Sequence, residues 1–587
     1  MAATQVQTIA AKTIADHSDS PSLLRDLADL AGGGSHLSNA HRDLQRYAER
    51  RCCQTPDPVD LNLPMKFKRF KLAPGVDVSG NHAIAPPFAW FSFLYQTPTF
   101  RARFLGGREG NIGNVLAAFW ASVPDSDGRK IHLRSAFKKR PDYTSDLACF
   151  RRAVPLTFHG DGVPVARMTL NNCSWSGFLG QALPTMDSKI LISGLINRTI
   201  GPRTKAAYWD IIAWSLLALW EGKFPKKDYQ GNDWKYGNPG EPLVPDLHLF
   251  GTIWTVKGDM EWLANVLGLE HTSSHTMCPW CMANDLDGQD EELAMSSIPW
   301  NDIGPRAAWR STIHSSADAW LIYHGGRDAI HPLLALPGVS GLNVMADAMH
   351  IIDLGVSHHV IGNVLFKLCW EDRYFAAART PQNRLDMLWT LVEQIYIARG
   401  VSCRIGEMSL GHFTDTRRPH LTYPSLSTRI KAAETRHFLP VLLSIFSDRC
   451  NLAIAEDSHM LQMLRGLDAA YTVLNSNVEH KLPPAEVAEF QRGIEACLQH
   501  YRWLHADAND RNKLWWQEVP KHHYVQHISA QAAFQNPRYS WNYSDEDFMG
   551  CLKRICESCL SGTQAHRVVA KLVRKWAAAV SMRMLFM

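Results

Sequence analysis

The segment from Ile253 to Cys281, IWTVKGDMEWLANVLGLEHTSSHTMCPWC, constrains this chain more than any other. Its apolar beginning belongs to a run, His248–Val256, that reads as a buried strand and delivers an acid, Asp259, just past its end. A short helical stretch follows, and then His271, His275, Cys278 and Cys281 crowd together. Cys-Pro-Trp-Cys is a CxxC knuckle. Thiolate and imidazole are the donors that a structural zinc prefers, and such sites are closed and four-coordinate. His271-x3-His275-x2-Cys278-x2-Cys281 offers four donors, so a structural Zn2+ is expected there. The plainer alternative is two cysteines buried as small hydrophobes beside surface histidines. An acid at a strand end next to such a knuckle suggests a carboxylate–metal core braced by a second metal.

The rest of the chain must then supply more acids, and it has the length to do so. At 587 residues it exceeds what one core usually holds, and 20 Trp and 23 Phe provide ample core material. The net charge of +4 is too small to mark a nucleic-acid binder, so any basic surface has to be local. Thirteen cysteines, an odd number spread along the chain with no signal peptide ahead of them, argue against a disulfide framework and for an intracellular, reducing compartment. No uninterrupted apolar run approaches the roughly 18 residues of a membrane span, so no membrane partner is expected.

The chain divides by texture. Residues 1–60 read as a helical, mobile appendage, with a basic face on Ala40–Arg51 that is either solvated or a DNA-contacting arm. Residues 61–150 form an accessory region. In it Lys66, Lys68, Arg69 and Lys71 alternate with aromatics as KFKRFK, a pattern that suits stacked bases and phosphates, or an edge strand guarded by lysines. The triplet Lys138, Lys139, Arg140 resembles an import signal. Residues 151–365 are α/β in character: VPLTFHGDGVPV (154–165) reads as strand, turn at Gly160–Gly162 and second strand, Ser188–Ile196 as another apolar run, Tyr208–Trp220 as an apolar helix. Residues 366–519 turn helical. Leu385, Leu388, Leu391 and Ile395 recur at helical spacing, as do Val487, Phe490, Ile494, Cys497, Tyr501 and Leu504 after Pro483-Pro484. Residues 520–587 complete the fold and end in an amphipathic basic helix, Arg567–Arg583. The expected class is mixed α/β with a large all-α insertion.

Three acids stand out. Asp161 lies in HGDG, where flanking glycines leave open space above a carboxylate; Asp259 follows the strand; Glu546 lies in WNYSDEDFMGCLKRI at a helix start. Taken singly each is an ordinary cap or turn residue. Together, two strand-end carboxylates and one helical carboxylate suit two-metal phosphoryl transfer with hard Mg2+ or Mn2+.

IWTVKGD with CPWC, then DAMHIIDLGVSHHVIGNVL (347–365), then RYSWNYSDEDFMGCLK (538–553), resemble in the same order the motifs of the CACTA (En/Spm-type) DDE transposases. Asp259 matches the second acid. Asp347, Met349 and His350 cover the central motif. Glu546 matches the last acid, with Trp541, Tyr543, Gly550, Leu552 and Lys553 in register, and Asp161 is the match to the first. The resemblance spans roughly 150–370 and 520–560. It implies an RNase H-like fold with a helical insertion before the last acid. The implied activity is cleavage of double-stranded DNA at transposon ends and joining of the freed 3′-hydroxyl to a target, in the nucleus, with a homo-oligomer as the candidate assembly. Asp161, Asp259 and Glu546 would hold two Mg2+ or Mn2+ ions, and Lys553 and Arg554 would contact DNA. His350 becomes a further candidate for zinc or for support of the acids. A histidine-bearing helix also precedes the last acid in the family, which implies that His523 or His527 of KHHYVQH supports the active site without binding metal. The rival reading is a transposase-derived DNA-binding or scaffold protein without catalysis. A zinc hydrolase is disfavoured, since no HExxH helix is present and two thiolates imply a closed site.

Overall fold

A short antiparallel pair precedes the main sheet: β1 (Val59–Met65) and β2 (Val78–Ile84) align Val59 with Ile84. This computed structural model describes residues 55–66, 78–108, 110–180, 183–285, 297–326 and 330–584. Helix α1 (Pro87–Gln96) starts on a proline at its first position and buries an almost wholly aromatic face, Phe88, Trp90, Phe91 and Tyr95.

The central sheet is built from β3 (Ala153–Val165), β4 (Met168–Gly177), β5 (Ile190–Ile196) and β6 (Phe250–Lys257), in the order β5-β4-β3-β6. The first three form an antiparallel meander, and β6 joins β3 in parallel. A single parallel bridge, Val256 to Val344, extends the sheet past β6. Every residue of β5 and β6 is buried, so both segments are mostly apolar in sequence and lack the polar–apolar alternation of a half-exposed strand. Helix α2 (Thr204–Glu221), the apolar helix expected near 208–220, carries the chain from one edge of the sheet to the other and stops at Gly222, which caps it at φ 70°.

One expectation fails here. The chain does not turn at Gly160–Gly162: β3 runs unbroken to Val165, and the turn falls at Ala166, φ 52°. Gly160 serves close approach instead. A Cβ there would lie 1.9 Å from Cζ2 of Trp262, so the absent side chain is what lets the helix after β6 dock on the strand. Asp161 therefore sits inside a strand, paired with Asn172, rather than at a strand end.

Past the sheet, helix α3 (Met260–Asn265) leads into the cysteine loop, and a π-helix (Met349–Val356) runs directly into α4 (Ser357–Trp370). The helical block follows as α5 (Pro381–Ala398), α6 (Ala432–Arg449), α7 (Ala455–Ser476) and α8 (Pro484–Asp510). Helix α8 starts at the proline pair and buries Phe490, Ile494, Cys497, Tyr501 and Leu504 as their spacing requires. Helices α7 and α8 touch backbone to backbone: a Cβ on Gly466 would stand 2.7 Å from the Gly493 carbonyl oxygen. Helix α9 (Pro520–Gln531) returns to the sheet, followed by α10 (Tyr543–Leu560) and α11 (Ala565–Met584).

A continuous cluster of buried hydrophobic residues extends from Val59 to Met584, so residues 61–150 share the core rather than standing apart from it. Trp576 of α11 closes it, 5.0 Å from Trp90 of α1. The basic face of α11 is committed internally: Arg574 pairs with Asp60, Arg583 Nε lies 2.7 Å from Asp187, and Lys575 reaches the Ser558 carbonyl oxygen at 3.0 Å. Arg140 is likewise a core cation, buried 3.8 Å over the Phe250 ring, so it does not belong to an exposed import signal. Ala40–Arg51, Lys68, Arg69 and Lys71 lie outside the described residues, and Lys66 is exposed at the end of β1. Among the described residues no helix is long and apolar enough to cross a membrane.

Candidate metal centres

The acids meet at one end of the sheet. Asp161 comes from β3, and Asp259 stands just past β6. There Asp259 caps α3, accepting from the Trp262 N–H at 2.6 Å. Glu546 lies in the first turn of α10 with its side chain 45% exposed. Their mutual influence shows in the protons they hold. Burial, then the charges of Glu546 and Asp259, push the Asp161 carboxyl up to about 8. Burial also raises Glu546, with the charges of Asp347, Asp259 and Asp545 adding to it.

Asp347, from the central DAMHIID motif, is a fourth acid at this place. It is buried, accepts from the Met349 N–H at 2.9 Å and holds His350 Nδ1 at 2.5 Å. The other ring nitrogen of His350 lies 3.8 Å from Glu546 Oε1. Burial opposes a charged imidazole, yet the bond to Asp347 and the charges of Asp347, Glu546 and Asp259 outweigh it and hold His350 at about 9. His350 and the Lys521 ammonium, which feels Asp347 and Asp259, thus partly offset a cluster of carboxylates. His350 belongs to the acids and not to zinc. It projects from the π-helix, a rare backbone form that recurs at functional sites. That helix is anchored by Asp353, which accepts from the hydroxyls of Tyr471 and Tyr543, each at 2.5 Å.

Glu546 is aimed by its neighbour. Asp545 is fully buried and receives Lys189 Nζ at 2.6 Å and Lys257 Nζ at 2.7 Å, with His159 Nδ1 at 3.8 Å. These partners come from the start of β5, the end of β6 and the middle of β3, so one carboxylate ties α10 to three strands. Burial would raise the Asp545 carboxyl, but the two ammonium groups hold it well below the ordinary range. A buried pair of this kind contributes little net stability, but breaking it is costly, and it fixes the register of α10 on the sheet. The sequence analysis singled out Glu546 and missed this role of Asp545; successive side chains on a helix point about 100° apart, so the two acids meet different partners.

The second centre is complete. Cys278, Cys281, His523 and His527 are all buried, and one donor atom from each lies within 4.8 Å of the others. Cys278 Sγ is 3.3 Å from His527 Nε2, Cys281 Sγ is 3.4 Å from His523 Nε2, and the two Nε2 atoms are 3.1 Å apart. Burial alone would raise the Cys281 thiol, but hydrogen bonds from Cys278, His523 and His527 lower it, while Cys278 is raised. Two Nε2 atoms and two sulfurs converging at a buried site suit a tetrahedral cation. This Cys2His2 group can hold a metal ion.

The expected ligand set is therefore corrected. His271 and His275 are exposed; His271 Nδ1 bonds the Ser273 hydroxyl at 2.7 Å and His275 Nδ1 lies 3.2 Å from the Asp285 carbonyl oxygen. Their segment is a turn, so the four-residue spacing does not align them. His523 and His527 lie on α9, where the same spacing puts both rings on one face. They are ligand candidates, not supports of the acids. Of the DNA-contact candidates on α10, Lys553 is half-buried and Arg554 is exposed.

Among the described residues, the Cys2His2 group is the set whose donors close to within 4.8 Å; the carboxylates face one another across a wider gap. No protein-family model matches this chain, and no curated protein matches it.

Proposed function

We propose that this chain is a divalent-metal-dependent DNA nuclease and strand-transferase of the DDE transposase kind, with an RNase H-like core. The observation that carries this reading is the convergence of Asp161, Asp259 and Glu546 from β3, the end of β6 and α10, where with Asp347 four carboxyls face two cations, His350 and Lys521. The strand order supports it: an antiparallel meander whose first strand pairs in parallel with β6 is compatible with that core. So does the position of the helical block, which lies between Asp347 and Glu546.

Asp161, Asp259 and Glu546 would hold two Mg2+ or Mn2+ ions. Such ions polarise a scissile phosphate and lower the pKa of an attacking water or 3′-hydroxyl. Asp347 orients His350 toward Glu546, and Asp545 holds α10 so that Glu546 faces the strands. The Cys2His2 group would carry a structural Zn2+ that ties the loop after β6 to α9. The substrate is double-stranded DNA, as transposon ends and target, in the nucleus, and a pair of ends calls for a homo-oligomer.

The test is nicking of supercoiled DNA with Mg2+ or Mn2+. Wild type should nick, and Asp161→Ala, Asp259→Ala and Glu546→Ala should each reduce the rate by at least about a thousandfold, as expected when groups acting as one unit are removed. Equal nicking by wild type and all three variants, or none by any, would leave only a DNA-binding or scaffold role.

A further inference from the structure

Helix α6 of the all-α block sends a cation to the start of α10. Arg436 is 9% exposed and its guanidinium lies 4.7 Å over the Trp541 ring and 4.6 Å over the Tyr543 ring. Arg538 places a second guanidinium 4.7 Å over the same Trp541 ring. Neither arginine forms an ion pair among the described residues, and the Arg436 Nε–H is buried without an acceptor.

Packing accounts for Arg538, whose Nη1 donates to the Leu474 carbonyl oxygen at 3.2 Å, but it leaves the Arg436 Nε–H without an acceptor. An unsatisfied charged donor in a buried site costs more than the stacking of a guanidinium on an indole returns. The charge of Asp353 acts on Arg436, but that carboxylate already accepts from two tyrosine hydroxyls. Two guanidinium groups at one ring also repel each other, and Arg538 is lowered by burial and by the charge of Arg436. An anion with several acceptor oxygens would satisfy the orphaned N–H and separate the two charges at once. Planar forks of this kind match a phosphate.

The place is informative. Tyr543 is three residues before Glu546 on α10, so the two lie on the same face, one turn apart. We infer that Arg436 and Arg538, stacked on Trp541, form a clamp for an uncleaved phosphate of the nucleic-acid strand whose neighbouring phosphate lies at the acids. The all-α block then supplies a substrate contact and does not merely space the acids. This rests on the proposed nuclease reading, which gives the strand its position.

The test is the binding of a short DNA duplex by the metal-loaded full chain, measured by fluorescence anisotropy across a salt series, with inorganic phosphate as competitor. Arg538→Gln should weaken binding about tenfold and lower the log–log salt slope by about 0.9, one phosphate contact. Arg436→Gln together with Arg538→Gln should lower it by about 1.8. Thermal melting checks each variant. If Arg436→Gln does not fold, the half-buried Arg538 decides alone. A folded Arg538→Gln protein with unchanged affinity and slope overturns the clamp and leaves the nuclease reading standing. Inorganic phosphate that binds wild type and loses its site in the variants, with DNA binding unaffected, overturns the backbone assignment. Wild type that binds no DNA at low salt removes the nuclease reading itself, and the clamp falls with it.

Discussion

The two centres sit on either side of the Asp259–Cys281 segment and are opposites. The Cys2His2 group is dry, closed and preassembled, with every donor buried and in reach of the others. The carboxylate group is half-open and in conflict with itself: Asp161 is driven toward neutrality by burial and by its neighbours, and the Glu546 side chain is 45% exposed. A site whose ligands are all spent on one ion serves the fold. A site that gathers charge it cannot neutralise, while leaving room, is suited to ions that must also hold a substrate. The difference also separates neighbours on one helix, since Asp545 is satisfied by two lysines while Glu546 faces the acids.

The largest effect should come from the closed centre. If the group holds the proposed zinc, chelation or Cys281→Ser should remove one zinc per chain and cost several kcal/mol, because an ion there would join Cys278 to His527 across a separation of 249 residues. His271→Ala and His275→Ala should alter neither zinc content nor melting temperature. Zinc retained by Cys281→Ser and lost by His271→Ala would reverse the assignment.

Next is the anchor. Asp545→Asn leaves two buried ammonium groups without their counterion and should destabilise by about 3–5 kcal/mol in denaturant unfolding. Glu546→Gln, one residue away, should abolish nicking and change stability by less than about 0.5 kcal/mol. Similar stability losses in both would mean that the two acids share one role.

Acid should destabilise the framework through histidines outside both centres. His82 and His358 are buried and desolvation holds each down to about 4, against 6.5 when unfolded. The unfolded chain takes up their protons first, so this stability is complete above pH 6.5 and is lost as pH falls toward 4. The loss is up to roughly 3 kcal/mol for each group, and His82→Gln should flatten its share of the pH profile of unfolding.

A smaller effect, of about 1–3 kcal/mol, should follow Gly160→Ala, because the new methyl meets the Trp262 ring. It should also lower nicking by shifting Asp161 against Asp259. Full activity with a wild-type melting curve would show that α3 is free to move.

What could be read from the sequence follows how local each feature is. The strand before Asp259, the apolar helix α2 and the proline start of α8 are written in runs of adjacent residues, and they appear where expected. Cys278 and Cys281 declare themselves by their spacing. Their partners do not, because His523 and His527 reach them only through tertiary folding, while His271 and His275 imitate the spacing nearby. The usable signal was helical context: four-residue spacing aligns side chains on α9 and not in a turn. HGDG misled in the same way, since glycine marks both turns and close approach, and Trp262 decides which. Asp347 was visible only as part of a motif; its place among the acids depends on the path of the π-helix.

The most direct test is a calorimetric titration of zinc-loaded protein with Mn2+. The account predicts two Mn2+ ions bound per chain, with the binding lost in Asp259→Ala while zinc is retained. Absence of Mn2+ binding by the folded wild type, with or without DNA, would contradict it.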